Sequence, residues 1–356
     1  MRPYGRPPLT AAELLKHPEY EHVTWDLKPA QKGKVAVAEG RGGPIQISYE
    51  VHGNGPTKLV WIMGLAGFKT TWQRQTKDFG HGQNTNRDQS TKYSCLIFDN
   101  RGVGKSDKPL MRYSTSEMAK DTLELVNHVG WTSQRQLHIV GISLGGMIGQ
   151  ELALMVPERI ASLTLMATAP RLFSTVVTIP FPTPRQYFAE LDKGYFQNLR
   201  DRINMFLPKA IDDQLDSIKA RTFSQPWLNE PDAEGHFPTN GDRWAAQEVT
   251  KRRDVEGFTR RGFILQAIAA NWHHKNAVQL NQLGDQVGRN RILVIHGTAD
   301  KMITQPHGEL LVKELGGEEK GVTRCMVEGR GHGLQMEWRR DLTKLIAGFV
   351  ENTGKL

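Results

Sequence analysis

A short Gly-x-Ser-x-Gly segment at residues 141–145 constrains this chain more than any other feature. An apolar run over 137–140 predicts a buried strand before it, and residues 144–155 predict a helix after it. A very sharp strand-to-helix turn needs small residues two positions before and after the serine, because the backbone passes close to itself there. Such a turn lifts the Ser143 hydroxyl out of the sheet, beside helix N-terminal N–H groups. The segment therefore predicts a nucleophile, with a plain β–α turn as the alternative.

Apolar runs alternate with helical patterns on both sides of this segment, which favours an α/β fold. A mostly parallel, eight-stranded sheet flanked by helices is expected, opened by two antiparallel strands around the turn at 40–43. The eight predicted strands are 35–38, 45–51, 59–63, 95–98, 137–140, 160–166, 292–295 and 322–327.

The alternation breaks between about 170 and 287, where an irregular helical pattern is rich in aromatic residues and prolines. We interpret this stretch as an inserted, mostly helical cap. Residues 1–32 are polar and contain prolines, which indicates an N-terminal extension. The predicted organisation is therefore an extension over 1–32, a core over 33–169 and 288–356, and a cap over 170–287.

A serine nucleophile needs a histidine base that is oriented by a carboxylate. His332 follows the last predicted strand in a glycine-rich loop, and Asp300 follows the strand at 292–295. Both positions fall at the carboxyl edge of the sheet, where sites of open α/β sheets collect. Along the chain, the serine comes first, then the aspartate and then the histidine, which is the order expected when the nucleophile lies on a strand-to-helix turn of this kind. The alternatives are a loop histidine that caps a helix and a turn aspartate.

An oxyanion needs two N–H donors. Leu144 directly follows the serine, and Leu65 lies in the Gly64-Leu65-Ala66-Gly67 segment that ends the strand at 59–63. We therefore expect the backbone N–H groups of Leu65 and Leu144 to form the oxyanion hole, with a simple tight turn at 64–67 as the alternative.

Composition excludes several other classes of protein. The net charge is +8, but the basic residues are scattered, so nucleic acid is not an expected partner. The two cysteines and twelve histidines show no metal-ligand spacing, and we expect neither a metal nor another cofactor. No apolar stretch reaches membrane-spanning length, and we predict a cytoplasmic protein. The terminal Gly354-Lys355-Leu356 differs by one residue from a peroxisomal signal, which we interpret as coincidence.

With these residues in place, the chain resembles the α/β-hydrolase superfamily and its capped serine hydrolases over about 35–352. The motifs that carry the resemblance are the 141–145 elbow, the Asp-x-Arg-Gly-x-Gly-x-Ser loop at 99–106, the Gly-x-x-Asp turn at 297–300 and Gly331-His332. The elbow is most similar to the esterase, enol-lactonase and cofactor-free haloperoxidase branch. Members often have His-Gly where this chain has Met63-Gly64. The resemblance also implies that Cys95 and Cys325 lie well apart and stay reduced.

Three hypotheses for function remain open at this stage, because a fold does not determine a substrate. The first is an ester or lactone hydrolase that acts through an acyl-enzyme on Ser143. The second keeps the same three residues but cleaves a C–C bond, and the third is a non-enzymatic small-molecule receptor. The aromatic cap suggests an apolar small-molecule substrate, with Phe188, Phe263 and Trp272 as the expected substrate-binding residues. The oligomeric state cannot be predicted.

Overall fold

The computed structural model describes residues 7–81, 91–172 and 210–353. Within these residues the chain forms one eight-stranded sheet, as the apolar runs predicted. The strands are β1 (Gln31–Val37), β2 (Ile45–His52), β3 (Thr57–Ile62), β4 (Tyr93–Phe98), β5 (Leu137–Ile142), β6 (Ile160–Met166), β7 (Ile292–Gly297) and β8 (Thr323–Val327).

The strand order across the sheet is β1-β2-β4-β3-β5-β6-β7-β8. β1 pairs with β2, and β2 with β4, in antiparallel register, whereas every other neighbouring pair is parallel. The prediction of a mostly parallel sheet that opens with an antiparallel pair is confirmed. Because β3 to β8 all run in one direction, the loops that follow them meet at one edge of the sheet.

Twelve α-helices occur in the described residues, and several of them cover the two faces of the sheet. They are α1 (Ala11–Leu15), α2 (Gln73–Gly80), α3 (Thr115–His128), α4 (Leu144–Met155), α5 (Ile211–Thr222), α6 (Gln225–Asn229), α7 (Asn240–Arg253), α8 (Arg260–Trp272), α9 (Ala277–Val287), α10 (Gln305–Glu314), α11 (Leu334–Glu337) and α12 (Arg339–Thr353).

The central strands are buried on both faces. In β4, Leu96 packs into a cluster with residues of α3, α4, α9 and α10, while Cys95 packs into a second cluster with α2 and α12. Neighbouring side chains on a strand point to opposite faces, so a strand covered on both sides must be apolar at nearly every position. This is why the predicted strands appear in the sequence as continuous apolar runs.

The N-terminal segment packs against helices of the inserted stretch. Leu14 and Tyr20 share a buried cluster with Phe223 and Trp244. The backbone N–H of Leu9 also donates to Asp242 Oδ1 at 2.9 Å. The helices α5 to α9 fall within the predicted cap range of 170–287, although Leu280, Leu283 and Val287 of α9 pack in the same cluster as the sheet. The cap boundaries themselves stay a prediction.

The two cysteines are free thiols, Cys95 in β4 and Cys325 in β8. Four strands separate β4 from β8 in the sheet. At about 4.8 Å per strand, this separation is far beyond the roughly 7 Å that a disulfide allows between Cα atoms. The expectation that they lie well apart is confirmed.

Candidate active site

Ser143 occupies the turn between β5 and α4, with φ 56° and ψ −122°. The surrounding glycines explain how the chain reaches this unusual conformation. A Cβ on Gly141 would lie 2.3 Å from the carbonyl oxygen of Gly145, and a Cβ on Gly145 would lie 2.1 Å from that of Ile62. Neither position has room for a side chain, so the Gly-x-Ser-x-Gly spacing follows from close backbone approach. The serine is thereby raised at the carboxyl edge of the sheet.

Asp300 and His332 come together at the same edge, from the loops after β7 and β8. His332 Nδ1 lies 2.7 Å from Asp300 Oδ2, and the two residues are 8% and 4% exposed. The other carboxylate oxygen, Oδ1, accepts the backbone N–H groups of Met302 at 2.8 Å and Ile303 at 3.0 Å. The carboxylate is therefore held in one orientation, with Oδ2 directed at the imidazole.

The environment of Asp300 keeps its carboxylate ionised. Burial by itself acts to raise the pKa of Asp300, but the charge of His332 and hydrogen bonds from His296 and His332 outweigh it and hold the pKa well below its usual range. An ionised carboxylate can only accept a hydrogen bond, so Nδ1 of His332 must carry the proton. The remaining ring nitrogen, Nε2, is then unprotonated in the neutral imidazole and can accept a proton.

Ser143 and His332 both line one cavity of about 840 Å³. Within the described residues the Ser143 hydroxyl makes no side-chain hydrogen bond, so it remains available to a molecule in that cavity. Catalytic hydrogen bonds often tighten only when a substrate is bound, so this arrangement is compatible with a serine–histidine pair. Apolar side chains from separate segments form much of the wall, among them Met63, Leu65, Phe223, Trp244, Phe263 and Met336.

The predicted oxyanion N–H groups lie beside the serine. Leu144 is the first residue of α4, whose first N–H groups have no partner within the helix. Leu65 also lines the cavity, and no acceptor among the described residues takes its N–H. A Cβ on the preceding Gly64 would lie 3.0 Å from the Ser143 Cβ, which brings this loop directly against the nucleophile turn. The structure thus brings Leu65 and Leu144 to the same site as Ser143.

The three predicted substrate-binding residues have different outcomes. Phe263, on α8, lines the cavity. Trp272, at the end of the same helix, is 67% exposed and lies 5.0 Å from the Arg112 guanidinium; it does not line the cavity. Phe188 lies outside the described residues, as does the C-terminal tripeptide 354–356.

Sequence reasoning missed three buried polar residues that hold the loops of the site. Asn100 donates through Nδ2 to the Met63 carbonyl oxygen at 2.9 Å, which anchors the loop at 63–67. Glu337 accepts the backbone N–H of Gly331, beside His332, at 3.0 Å. Gln266, from α8, contacts the loop at 63–67 as well. The contacts of Asn100 and Gln266 join segments that lie 37 and 200 residues apart, so no local pattern marks them. Glu337 lies only six residues after Gly331, but that spacing is not a helical period.

No helix in the described part of the chain is long and apolar enough to cross a membrane. Within the same residues, no group of three or more His, Cys, Asp or Glu side chains is arranged to hold a metal ion.

Comparison with known proteins yields a family match and several curated relatives. The family described as the alpha/beta hydrolase fold matches residues 64–337. "Putative carbamate hydrolase RutD" of Azorhizobium caulinodans is 30% identical over 125 residues, which cover 35% of this chain and 42% of that protein. "Putative non-heme bromoperoxidase BpoC" of Mycobacterium tuberculosis is 28% identical over 200 residues, covering 56% and 65% of the two chains. The matches thus span less than two thirds of either relative.

Solved structures agree with the fold. A thermophilic esterase from Thermogutta terrifontis superposes with a TM-score of 0.63 at 17% identity, covering 91% of this chain and 99% of that one. At this identity the likeness concerns the fold alone. The predicted resemblance to the α/β-hydrolase superfamily is confirmed by the family match, and the curated relatives include the bromoperoxidase, as the predicted similarity to the haloperoxidase-like branch implies.

Proposed function

The chain belongs to the alpha/beta hydrolase fold family, and we propose that it is a serine hydrolase that cleaves a carboxylic ester or a lactone through an acyl-enzyme on Ser143. One observation carries the proposal: the 2.7 Å hydrogen bond between His332 Nδ1 and Asp300 Oδ2, beside a cavity that Ser143 also lines. Acyl transfer requires a hydroxyl nucleophile, an imidazole base and an oriented carboxylate at one site.

In the first half of the proposed reaction, Ser143 Oγ forms a bond to the carbonyl carbon of the substrate. The hydroxyl proton passes to Nε2 of His332, and the carbonyl π electrons move onto the oxygen. The backbone N–H groups of Leu65 and Leu144 stabilise this oxyanion. Asp300 remains ionised and stabilises the imidazolium, for which its lowered pKa is suited.

The tetrahedral intermediate then collapses, and the bond between the carbonyl carbon and the leaving oxygen breaks. The proton on Nε2 of His332 goes to the departing alkoxide, which leaves an acyl group on Ser143. Water repeats the sequence with His332 again as base, and the products are a carboxylic acid and an alcohol. In a lactone both groups remain in one molecule.

We further propose that residues 170–287 form a cap over a core of 33–169 and 288–356, with 1–32 as an N-terminal extension, whose described part packs against residues of the cap. Phe223, Trp244 and Phe263 fall within the proposed cap and line the cavity with Ser143. An apolar wall of this kind favours an apolar substrate group and excludes water from the intermediate. Phe263 is therefore the proposed selectivity residue in the described part of the cap.

The test is turnover of p-nitrophenyl butyrate together with labelling by a fluorophosphonate. The wild-type protein should hydrolyse the ester and carry the label on Ser143, and Ser143→Ala should lose both activities, with kcat lower by about 10⁶-fold. Ser162→Ala is the matched control, because Ser162 is a buried serine of β6 that bonds to His138 Nδ1 at 2.8 Å and lies outside the cavity lining. It should keep both.

Other outcomes separate the competing functions. Labelling on a different serine would refute the assignment of the nucleophile. Absence of both turnover and labelling in the folded wild-type protein would favour a receptor. Labelling of Ser143 without turnover of any ester or lactone would point instead to cleavage of another bond, such as a C–C bond.

A further inference from the structure

The loop that carries Leu65 is held in a conformation that is unfavourable by itself. We call residues 63–67 the oxyanion loop. Within it, Ala66 has φ 59°, in the left-handed region where a residue with a Cβ is at a disadvantage. One internal hydrogen bond, from the Gly67 N–H to the Gly64 carbonyl oxygen at 3.2 Å, closes the turn. Such a backbone persists only when its surroundings hold it.

Gln266 of α8 provides a contact of this kind. Its side-chain Oε1 accepts the backbone N–H of Ala66 at 2.8 Å, and its Nε2 donates to the carbonyl oxygen of Arg101 at 2.8 Å. The side chain is 0% exposed, so water does not compete for either bond. A single buried amide therefore joins the oxyanion loop to the loop that follows β4.

The close approach of α8 makes this contact possible. Gly262 lies one turn before Gln266 on the same helix face. A Cβ on Gly262 would lie 1.9 Å from the carbonyl oxygen of Gly102. α8 therefore contacts the backbone after β4 directly, close enough for the Gln266 side chain to reach the carbonyl oxygen of Arg101.

The far end of the amide is fixed as well. The Arg101 guanidinium forms a buried ion pair with Asp121, with Nη2 at 2.6 Å from Oδ1. Asn100, the preceding residue, holds the start of the oxyanion loop through the Met63 carbonyl oxygen. The oxyanion loop is therefore held at its start by the core and at Ala66 by α8.

We propose that Gln266 is a positioning residue, which keeps the Leu65 N–H directed at the place where the oxyanion forms. The bond from the Ala66 N–H to Gln266 orients the peptide between Leu65 and Ala66. The Leu65 N–H belongs to the preceding peptide, whose Gly64 carbonyl oxygen accepts the Gly67 N–H at 3.2 Å. Gln266 therefore acts on the Leu65 N–H by holding the adjoining peptide of this turn, so that the turn closed by Gly67 keeps its shape. The inference rests on the proposed function and deepens it. It makes α8, a helix of the inserted stretch, part of the preorganisation of the site as well as part of the cavity wall.

The experiment compares Gln266→Met with wild type on p-nitrophenyl butyrate. Removing an oxyanion donor outright lowers kcat by about 10²–10³-fold, so a misdirected one should lower it by about 10–100-fold, with KM unchanged within about twofold. A trifluoromethyl ketone, which adds to the serine and forms an oxyanion, should bind more weakly by a similar factor, while butyrate should bind equally well. Val312→Ala, at a buried position of α10 outside the cavity lining, is the stability-matched control and should keep kcat.

Gln266→Glu provides an independent readout. A protonated carboxyl can accept from the Ala66 N–H and donate to the Arg101 oxygen, whereas an ionised one opposes that oxygen with a second acceptor. The ratio of its kcat to the wild-type kcat should therefore rise as pH falls, and the same ratio for Gln266→Met should not change with pH.

Two failures are distinguishable. If wild-type protein hydrolyses the ester but Gln266→Met loses only thermal stability, with kcat and ketone affinity unchanged, the positioning role is refuted and the proposed function stands. If wild-type protein neither turns over an ester nor is labelled at Ser143, the proposed function fails first. Should Gln266→Met not fold, a pH-independent ratio for Gln266→Glu refutes the positioning role by itself.

Discussion

Replacing Asp300 by asparagine tests the proposed charge arrangement with almost no change of shape. An asparagine has one acceptor oxygen and one NH₂ donor where the carboxylate has two acceptors. Oδ1 of Asp300 accepts two backbone N–H groups, from Met302 at 2.8 Å and Ile303 at 3.0 Å. The amide oxygen must therefore occupy that position, because an NH₂ group there would face two donors. The NH₂ group is then left to face Nδ1 of His332.

This orientation reverses the histidine tautomer. Nδ1 becomes the acceptor, so the ring proton moves to Nε2, which in the proposed mechanism must receive the Ser143 proton. An imidazole in the wrong tautomer lowers kcat by about 10⁴-fold, or about 5.4 kcal/mol at 1.36 kcal/mol per tenfold. The loss of stability should be smaller, about 1–3 kcal/mol, because both backbone hydrogen bonds survive and only the contacts of Oδ2 with His332 and His296 are weakened.

The pH dependence of the stability loss follows from the pKa of Asp300. That pKa is lower in the folded than in the unfolded chain, so the ionised carboxylate stabilises the fold above the unfolded pKa. The contribution disappears as pH falls towards the folded pKa. Asp300→Asn should therefore be less stable than wild type near neutral pH, and the difference should shrink in acid.

The assay is kcat and KM on p-nitrophenyl butyrate, with thermal unfolding measured in parallel. Asp232→Asn is the matched control, because Asp232 is also buried and its Oδ2 accepts the backbone N–H groups of His236 and Phe237 at 3.0 Å, away from the cavity lining. It should lose stability but keep kcat. An Asp300→Asn variant that folds and keeps kcat within tenfold of wild type would refute the reasoning.

Two further predictions concern the loop of the base and the cavity wall. Burial raises the pKa of Glu337 in the folded chain, so the free energy of unfolding of the wild-type protein falls as pH rises through the folded pKa. A glutamine at this position does not ionise, and its oxygen can still accept the backbone N–H groups of Ser224 and Gly331. Between pH 4 and 8, the melting temperature of Glu337→Gln should rise relative to that of wild type as pH rises. A constant difference between the two melting temperatures would contradict this. Phe263→Ala should change the ratio of kcat/KM between long and short acyl esters, whereas Trp272→Ala, on the exposed side of the same helix, should not. If both variants have the same ratio, Phe263 does not determine acyl-chain selectivity.

Much of the core could be predicted because the relevant signals are local. A strand covered on both faces is apolar along its length, as in β4, and it was recognised from that property alone. The candidate residues Ser143, Asp300 and His332 were found by a second local rule, since each follows a predicted strand closely. Parallel strands end at one edge, so the positions after them must be neighbours in space. Whether these three residues act as a catalytic triad stays a prediction.

Which side of each inserted helix faces the cavity could not be predicted, because the pattern of apolar residues in this stretch is irregular. Phe263 and Trp272 were both expected to contact substrate, yet they lie nine residues apart on α8. At about 100° per residue this separation puts them on opposite sides of a straight helix, so both could not face one cavity. Helical geometry would have excluded one of the two, but only the packing of α8 on the core shows that Phe263 is the one inside.

The sequence by itself determined the sheet, the sharp turn at Ser143 and the order of the nucleophile, acid and base candidates, because each depends on residues close together in the chain. Only the tertiary structure decided that Gln266 bonds to Ala66, 200 residues away in the chain, and that Asn100 bonds to Met63, 37 residues away. Such contacts arise when separately formed elements pack against each other. Their geometry depends on how closely a helix packs on a loop, as α8 does at Gly262 on the backbone of Gly102. No local pattern of residues encodes the distance between the two segments.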